Sequence, residues 1–124
     1  MLQRADGHRI RQRRRENYQR LAKAVASQSY LRPMLPALTD GVCPLGLPVL
    51  CEDREHARRH FLKLGINVRA YWERLPAEVT EAAFPDAHKL AREILILPVH
   101  QSLTERQLEH LASAIGTLTK GARA

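Results

Sequence analysis

Aromatic residues are scarce in this chain of 124 residues, at 5% of the total. Any core must therefore come mostly from Leu, Ile, Val and Ala, within an apolar fraction of 44%. Cysteine is nearly absent. Cys43 and Cys51 cannot complete a zinc tetrad. In a reducing compartment they read as small, partly buried hydrophobes rather than as a disulfide. No apolar run approaches the roughly 18 residues that a membrane span requires. The N-terminus is Arg-rich from Arg4 onward and has no apolar core of the kind a secretory signal carries. The cytoplasm is the expected location. A P-loop, a nucleophile elbow and a Gly-rich dinucleotide loop are also missing, which removes the enzyme classes built on them.

Charge is unevenly spread. The formal net charge is +7. Arg4, Arg9, Arg11, Arg13, Arg14, Arg15, Arg20 and Lys23 face only Asp6 and Glu16, so most of the excess sits in the first fifth of the chain. Such a cluster fits a nucleic-acid footprint or the solvated face of a helix.

Periodicity predicts a helix over 7–27, with Tyr18, Leu21, Ala22 and Val25 on one stripe. Its first half has little apolar face beyond Ile10. That half should bridge solvent or pack on something outside the chain. Pro33, Pro36, Pro44 and Pro48 punctuate the next stretch. Within it, 45–51 reads as a strand, either at an edge or with the N–H side of Pro48 free. Asp53 should cap a helix to about Leu64, with Ala57, Phe61 and Leu64 inward and Gly65 after its end. Residues 66–72 alternate as a half-buried strand would. After a loop containing Pro76 and Pro85, Asp86 should cap a third helix carrying Ala87, Leu90, Ala91 and Ile94. That helix runs into the apolar run 95–99, with the exchange near Ile94. Thr104 and Gln107 fit a capping box ahead of a last helix with Leu108, Leu111, Ala112 and Ile115 inward. The tail after Thr119 should fray. The crossovers are too short for a doubly wound sheet. The expected fold class is α+β: a small three-stranded sheet with helices packed on one face, preceded by a long basic helix.

Little of this sequence suggests self-sufficient chemistry. His56 and His60 have metal-ligand spacing, but Arg58 and Arg59 beside them repel a cation, so two surface histidines are expected. Glu105 and Glu109 read as a solvated helix face.

Three stretches carry a family resemblance: GVCPLGLPVLCEDREHARRHFLKLGI at 41–66, FPDAHKLAREILILPVH at 84–100 and SLTERQLEHLASAI at 102–115. In order and spacing they resemble the C-terminal end of the DegT/DnrJ/StrS aminotransferases, of the aspartate-aminotransferase fold type. The matching points are Arg54, Gly65-Ile66, Leu90-Ala91 and Leu97-Pro98. RRRENYQRLAKAV at 13–25 resembles the helix that joins the large domain to the small one.

The resemblance implies a division into a linker helix at 1–28 and an aminotransferase small domain at 29–124. It implies a C-terminal piece of an enzyme that uses pyridoxal phosphate to move an amino group, from glutamate, onto a keto-sugar nucleotide. A missing large domain or partner subunit would carry the cofactor, and the complete enzyme would be a homodimer. Lys23, Lys63, Lys89 and Lys120 match no Schiff-base lysine, so no catalytic residue, bound cofactor or metal is expected in this chain alone. The strand after Gly65-Ile66 should point at the sugar-nucleotide pocket. This makes Arg69, Tyr71 and Trp72 the candidate substrate-binding residues, where Tyr71-Trp72-Glu73 replaces the family's His-Tyr-Pro. By alternation Arg69 and Tyr71 share one face and Trp72 the other, where Trp72 alone reads better as core. The alternative is a stand-alone nucleic-acid-binding module using the Arg13-Arg14-Arg15 helix. No RNP, zinc-finger or helix-turn-helix pattern supports it, and no membrane association is expected.

Overall fold

The computed structural model describes residues 6–35 and 37–118. Arg4, Pro36, Lys120 and the tail from Thr119 lie outside them. The elements run α1 (Gly7–Ala26), β1 (Arg32–Pro33), β2 (Gly46–Leu50), α2 (Arg54–Lys63), α3 (Pro85–Glu93), β3 (Ile94–Pro98) and α4 (Glu105–Thr117). The fold is α+β, with a three-stranded sheet in the order β1-β2-β3. Both pairings are antiparallel.

The strands alternate as their pattern requires. Leu47 pairs with Leu97 and Val49 with Leu95, and all four are fully buried on one face. Against that face pack Tyr18, Leu21 and Val25 from α1, Ala57 and Phe61 from α2, and Leu108, Leu111, Ala114 and Ile115 from α4. On the opposite face Gly46, Pro48, Leu50 and Ile96 are half-buried. A Cβ on Gly46 would overlap the Ile96 side chain and crowd the Leu97 carbonyl, so the close approach of β2 to β3 requires glycine there.

Pro48 lies in the central strand, and its missing N–H explains the shortness of β1. Ile96 exchanges backbone hydrogen bonds with Arg69, donating at 2.7 Å and accepting at 3.3 Å. Its polar groups thus face away from Pro48, and those of Pro48 face β1. The Met34 N–H reaches the Pro48 carbonyl at 3.3 Å, but Pro48 has no N–H to return. The ladder ends after Arg32 and Pro33. Of the two expectations for Pro48, the free N–H side holds and the edge strand does not.

The strand expected at 66–72 shrinks to one bridge, Arg69 to Ile96. The third strand of the sheet is Arg32–Pro33 instead. Ile66 and Val68 are buried and Asn67 and Arg69 exposed, so the alternation is real. The strand fails because its chain turns at both ends. The Ile66 N–H is drawn back to the Phe61 carbonyl at 2.8 Å, and Trp72 takes a left-handed conformation with φ 55°.

Helix limits follow local chemistry. Asp53 accepts from the His56 N–H at 3.2 Å, and Gly65 has φ 76°. Leu64 is exposed, because it stands at the cap beyond the last turn. α3 begins at Pro85, with Phe84 in the cap position and no side-chain cap. Asp86 thus sits in the first turn rather than capping it. Proline suits this first position, where its N–H is not needed. Leu90, expected in the core, is half-buried; α3 contributes no residue to the main cluster.

The expected capping box at α4 is complete. The Gln107 N–H donates to Thr104 Oγ1 at 3.1 Å, and the Thr104 N–H donates to Gln107 Oε1 at 2.9 Å. Thr104→Ala should lower stability by about 1 kcal/mol in urea unfolding. A loss below roughly 0.3 kcal/mol would mean the box adds nothing to the helix terminus.

Candidate functional site

Arg69, Tyr71 and Trp72 lie where the chain leaves its bridge to β3. Arg69 is exposed. Its backbone is fixed by the two hydrogen bonds to Ile96, and its guanidinium has no ion-pair partner among the described residues. Tyr71 is half-buried. Trp72 is 74% exposed, so it does not belong to the core. Left-handed backbone at a bulky residue costs about 1–2 kcal/mol. Here it breaks the alternation, bringing the rings of Tyr71 and Trp72 to 6.0 Å between centroids, tilted by 51°. The next residue is tied down, since Arg58 of α2 holds Glu73 at 3.0 Å and Glu55 at 3.3 Å. A guanidinium can fork onto a phosphate or carboxylate, and aromatic rings can stack on a flat group.

Four residues of the basic cluster are engaged within the chain, while Arg9, Arg11 and Lys23 are exposed as a solvated helix face would be. Arg13 donates to the Leu103 carbonyl at 3.3 Å. Arg14 donates to Gln101 at 2.7 Å and to the Pro44 carbonyl at 3.2 Å. Arg15 donates to the carbonyls of Thr39 and Val42 at 2.9 and 2.8 Å. Arg20 pairs with Glu105 at 2.7 Å, and this hydrogen bond holds the Glu105 carboxyl below its ordinary range. The first half of α1 thus fastens two loops of its own chain. Arginines that serve carbonyls in this way are drawn off from the phosphate footprint of a nucleic-acid module.

Asn17 was not singled out by sequence. It is 2% exposed, and its Nδ2 donates to the Val99 and His100 carbonyls at 3.2 and 3.1 Å. Its signal was a polar residue four before Leu21, inside the apolar stripe. Glu93 was also missed. It is 7% exposed and meets Arg32 at 2.7 Å. Arg54, one of the residues carrying the resemblance, is engaged structurally, with its guanidinium on the Ala91 carbonyl near the end of α3.

The remaining titratable groups are dispersed. His60 meets the Ala114 carbonyl at 2.9 Å, and His56 sits edge-on to Tyr30; both are half-buried rather than surface histidines. Burial, then the neighbouring Cys51 and Asp53, push the Tyr30 hydroxyl up to about 12. Cys43 is exposed and Cys51 buried, and both are free thiols. Among the described residues no three His, Cys, Asp or Glu side chains gather as a metal site would require. Nor is any helix there long and apolar enough to cross a membrane.

No family model matches the sequence, and no curated protein matches it. The fold does find counterparts. A sugar aminotransferase from Micromonospora echinospora superposes with a TM-score of 0.74 at 23% identity, over 87% of this chain and 30% of the other. A DegT/DnrJ/EryC1/StrS aminotransferase from Brucella abortus gives 0.69 at 20% identity, over 86% and 30%. A Streptococcus pneumoniae protein assigned to the sugar aminotransferases, in its PLP form, gives 0.72 at 18% identity, over 87% and 31%. The chain has the fold of a segment of these aminotransferases. It spans about 30% of the length of the structures it matches.

Pyridoxal phosphate, the group named for the Streptococcus pneumoniae protein, needs a lysine amine in a sheltered pocket with a cradle for its phosphate. Lys23, Lys63 and Lys89 are all exposed on helices. The described residues of this chain do not fit that group.

Proposed function

We propose that this chain acts as the small domain of a pyridoxal-phosphate-dependent sugar aminotransferase. Residues 1–28 would join it to a large domain and residues 29–124 would form the small domain itself. The observation that supports this reading is a fold likeness extending over most of this chain but less than a third of each neighbour. In the complete enzyme the large domain or a partner subunit would hold the cofactor, and two copies would assemble. The substrates would be glutamate and a keto-sugar nucleotide, and the setting the cytoplasm. Alone, the chain would have no transaminase activity, because imine formation needs a positioned lysine.

Within that assembly Arg69, Tyr71 and Trp72 would form one wall of the sugar-nucleotide pocket. The unpaired Arg69 guanidinium would bind a phosphate through two parallel N–H donors. Tyr71 would offer a ring face and a hydroxyl. Trp72 would add a second ring, held outward by its left-handed backbone. Strain of that kind is found at sites that position a ligand.

The test joins the chain to the large domain of a related enzyme. Arg69→Ala should lower kcat/KM for the sugar nucleotide by about ten- to a hundredfold, the loss of one or two charge-assisted hydrogen bonds. Tyr71→Phe, which removes only a hydroxyl, should cost less, about threefold to tenfold. If both variants retain the parent kcat/KM, the segment carries structure only.

A further inference from the structure

We propose that a groove between α4 and the turn at Gly65 binds a small organic anion, a molecule with an apolar body and one carboxylate or phosphate head. The groove encloses about 610 Å³, within the range of roughly 300–1,000 Å³ typical of small-molecule sites. Arg69, Tyr71 and Trp72 do not line it.

Two features of the lining define the ligand. The floor is apolar: Ile66, Leu103 and Leu111 are core residues, each exposing only a few per cent of its surface, and that surface faces the groove. The polar side chains along it include Arg106, His110 and His100, and no acidic residue lines it. Arg106 stands one turn before His110 on α4, and its guanidinium can fork onto an anionic group over the groove. Arg106 has no ion pair among the described residues. The ring of His110 is fixed in place, because its Nε2 donates to the Leu64 carbonyl at 2.7 Å. His100, just beyond β3, lies in the same lining. An unpaired guanidinium over a hydrophobic floor is the complement of an amphipathic anion. A bare anion would gain little at an exposed arginine, and a neutral apolar molecule would leave the cationic side unused. Both parts of the ligand are needed.

The test titrates the full chain with four probes and follows backbone amide signals. Octanoate and phenyl phosphate each carry a body and a head. Inorganic phosphate carries only the charge, and 1-hexanol only the body. Octanoate or phenyl phosphate should saturate, with shifts at Ile66, Leu103, Arg106 and His110; the tighter of the two identifies the head group. The single-feature probes should bind at least about tenfold more weakly. Arg106→Ala, at an exposed helix position, should weaken the better ligand by about tenfold or more. Arg106→Gln should do the same while keeping most of the stem. Arg59→Ala, exposed on α2, should leave binding unchanged. The proposal fails if Arg106→Ala and Arg106→Gln bind like the parent. It fails equally if inorganic phosphate or hexanol alone binds as tightly as the two-part ligands. It also fails if no small anion saturates and the groove signals move only when another polypeptide is added.

Discussion

Replacing Phe61 with Ala should lower the stability of the chain by about 3–5 kcal/mol, the range for deleting a large buried aromatic. Phe61 is fully buried and heads the buried side chains by size. The only other buried ring of the main cluster, among the described residues, is Tyr18. The main cluster joins α1, α2, α4 and the inner face of the sheet, so the cavity would open among elements far apart in sequence. Its backbone carbonyl also accepts from the Ile66 N–H, linking the ring's position to the turn that starts the segment leading to Arg69. A domain of this size has about 5–15 kcal/mol to lose, so the variant should unfold at markedly lower urea. A loss below about 1 kcal/mol would mean that Phe61 sits in a site free to collapse, contrary to its packing.

Asn17→Ala should cost about 2–3 kcal/mol, since a buried acceptor left without a donor costs about 1–3 kcal/mol. Two carbonyls lose the same Nδ2 donor, those of Val99 and His100. Val99 is fully buried, so its carbonyl has the poorer access to water. The Asn17 amide is also the buried link between α1 and the chain leaving β3, with Arg13 and Arg14 gripping the same turn through Leu103 and Gln101. Asn67→Ala, at an exposed position, should stay within about 0.5 kcal/mol of the parent. Equal costs for the two asparagines in urea unfolding would show that the buried amide bonds contribute nothing.

Local rules account for most of what was legible in the sequence. Thr104 with Gln107, Asp53 three before His56, and Gly65 after α2 each satisfy groups a few residues away, so the helix ends could be read directly. The alternation of Leu47 with Val49 and the stripes of α1 and α4 likewise predicted the buried face. Non-local pairings were not legible. β1 is two residues long and exists only because Leu50 and Val49 lie opposite Arg32 and Pro33; nothing within 32–33 marks a strand. The segment 66–70 has a strand's alternation but only one ladder partner, at Ile96. Leu90 has the spacing of a core residue, yet α3 stands outside the main cluster.

The candidate site was legible in part. Alternation placed Arg69 on the exposed side, as observed. It could not foresee that Trp72 would turn left-handed, leave the core and come beside Tyr71. The run Arg13-Arg14-Arg15 looked like free charge because carbonyl acceptors leave no trace in a sequence. Its partners lie in loops 24 to 90 residues away, and only the folded chain brings them together.

The proposed role of this chain is to complete a sugar aminotransferase. The most direct measurement is reconstitution. The large domain of a related enzyme, loaded with pyridoxal phosphate and lacking its own matching segment, is mixed with this chain, glutamate and a keto-sugar nucleotide, and amino-sugar formation is followed. Amino sugar should form with both proteins present and with neither alone. Absence of both association and turnover, together with a sequence-preferring DNA or RNA complex of the chain that survives about 200 mM salt, where non-specific binding fades, would contradict it.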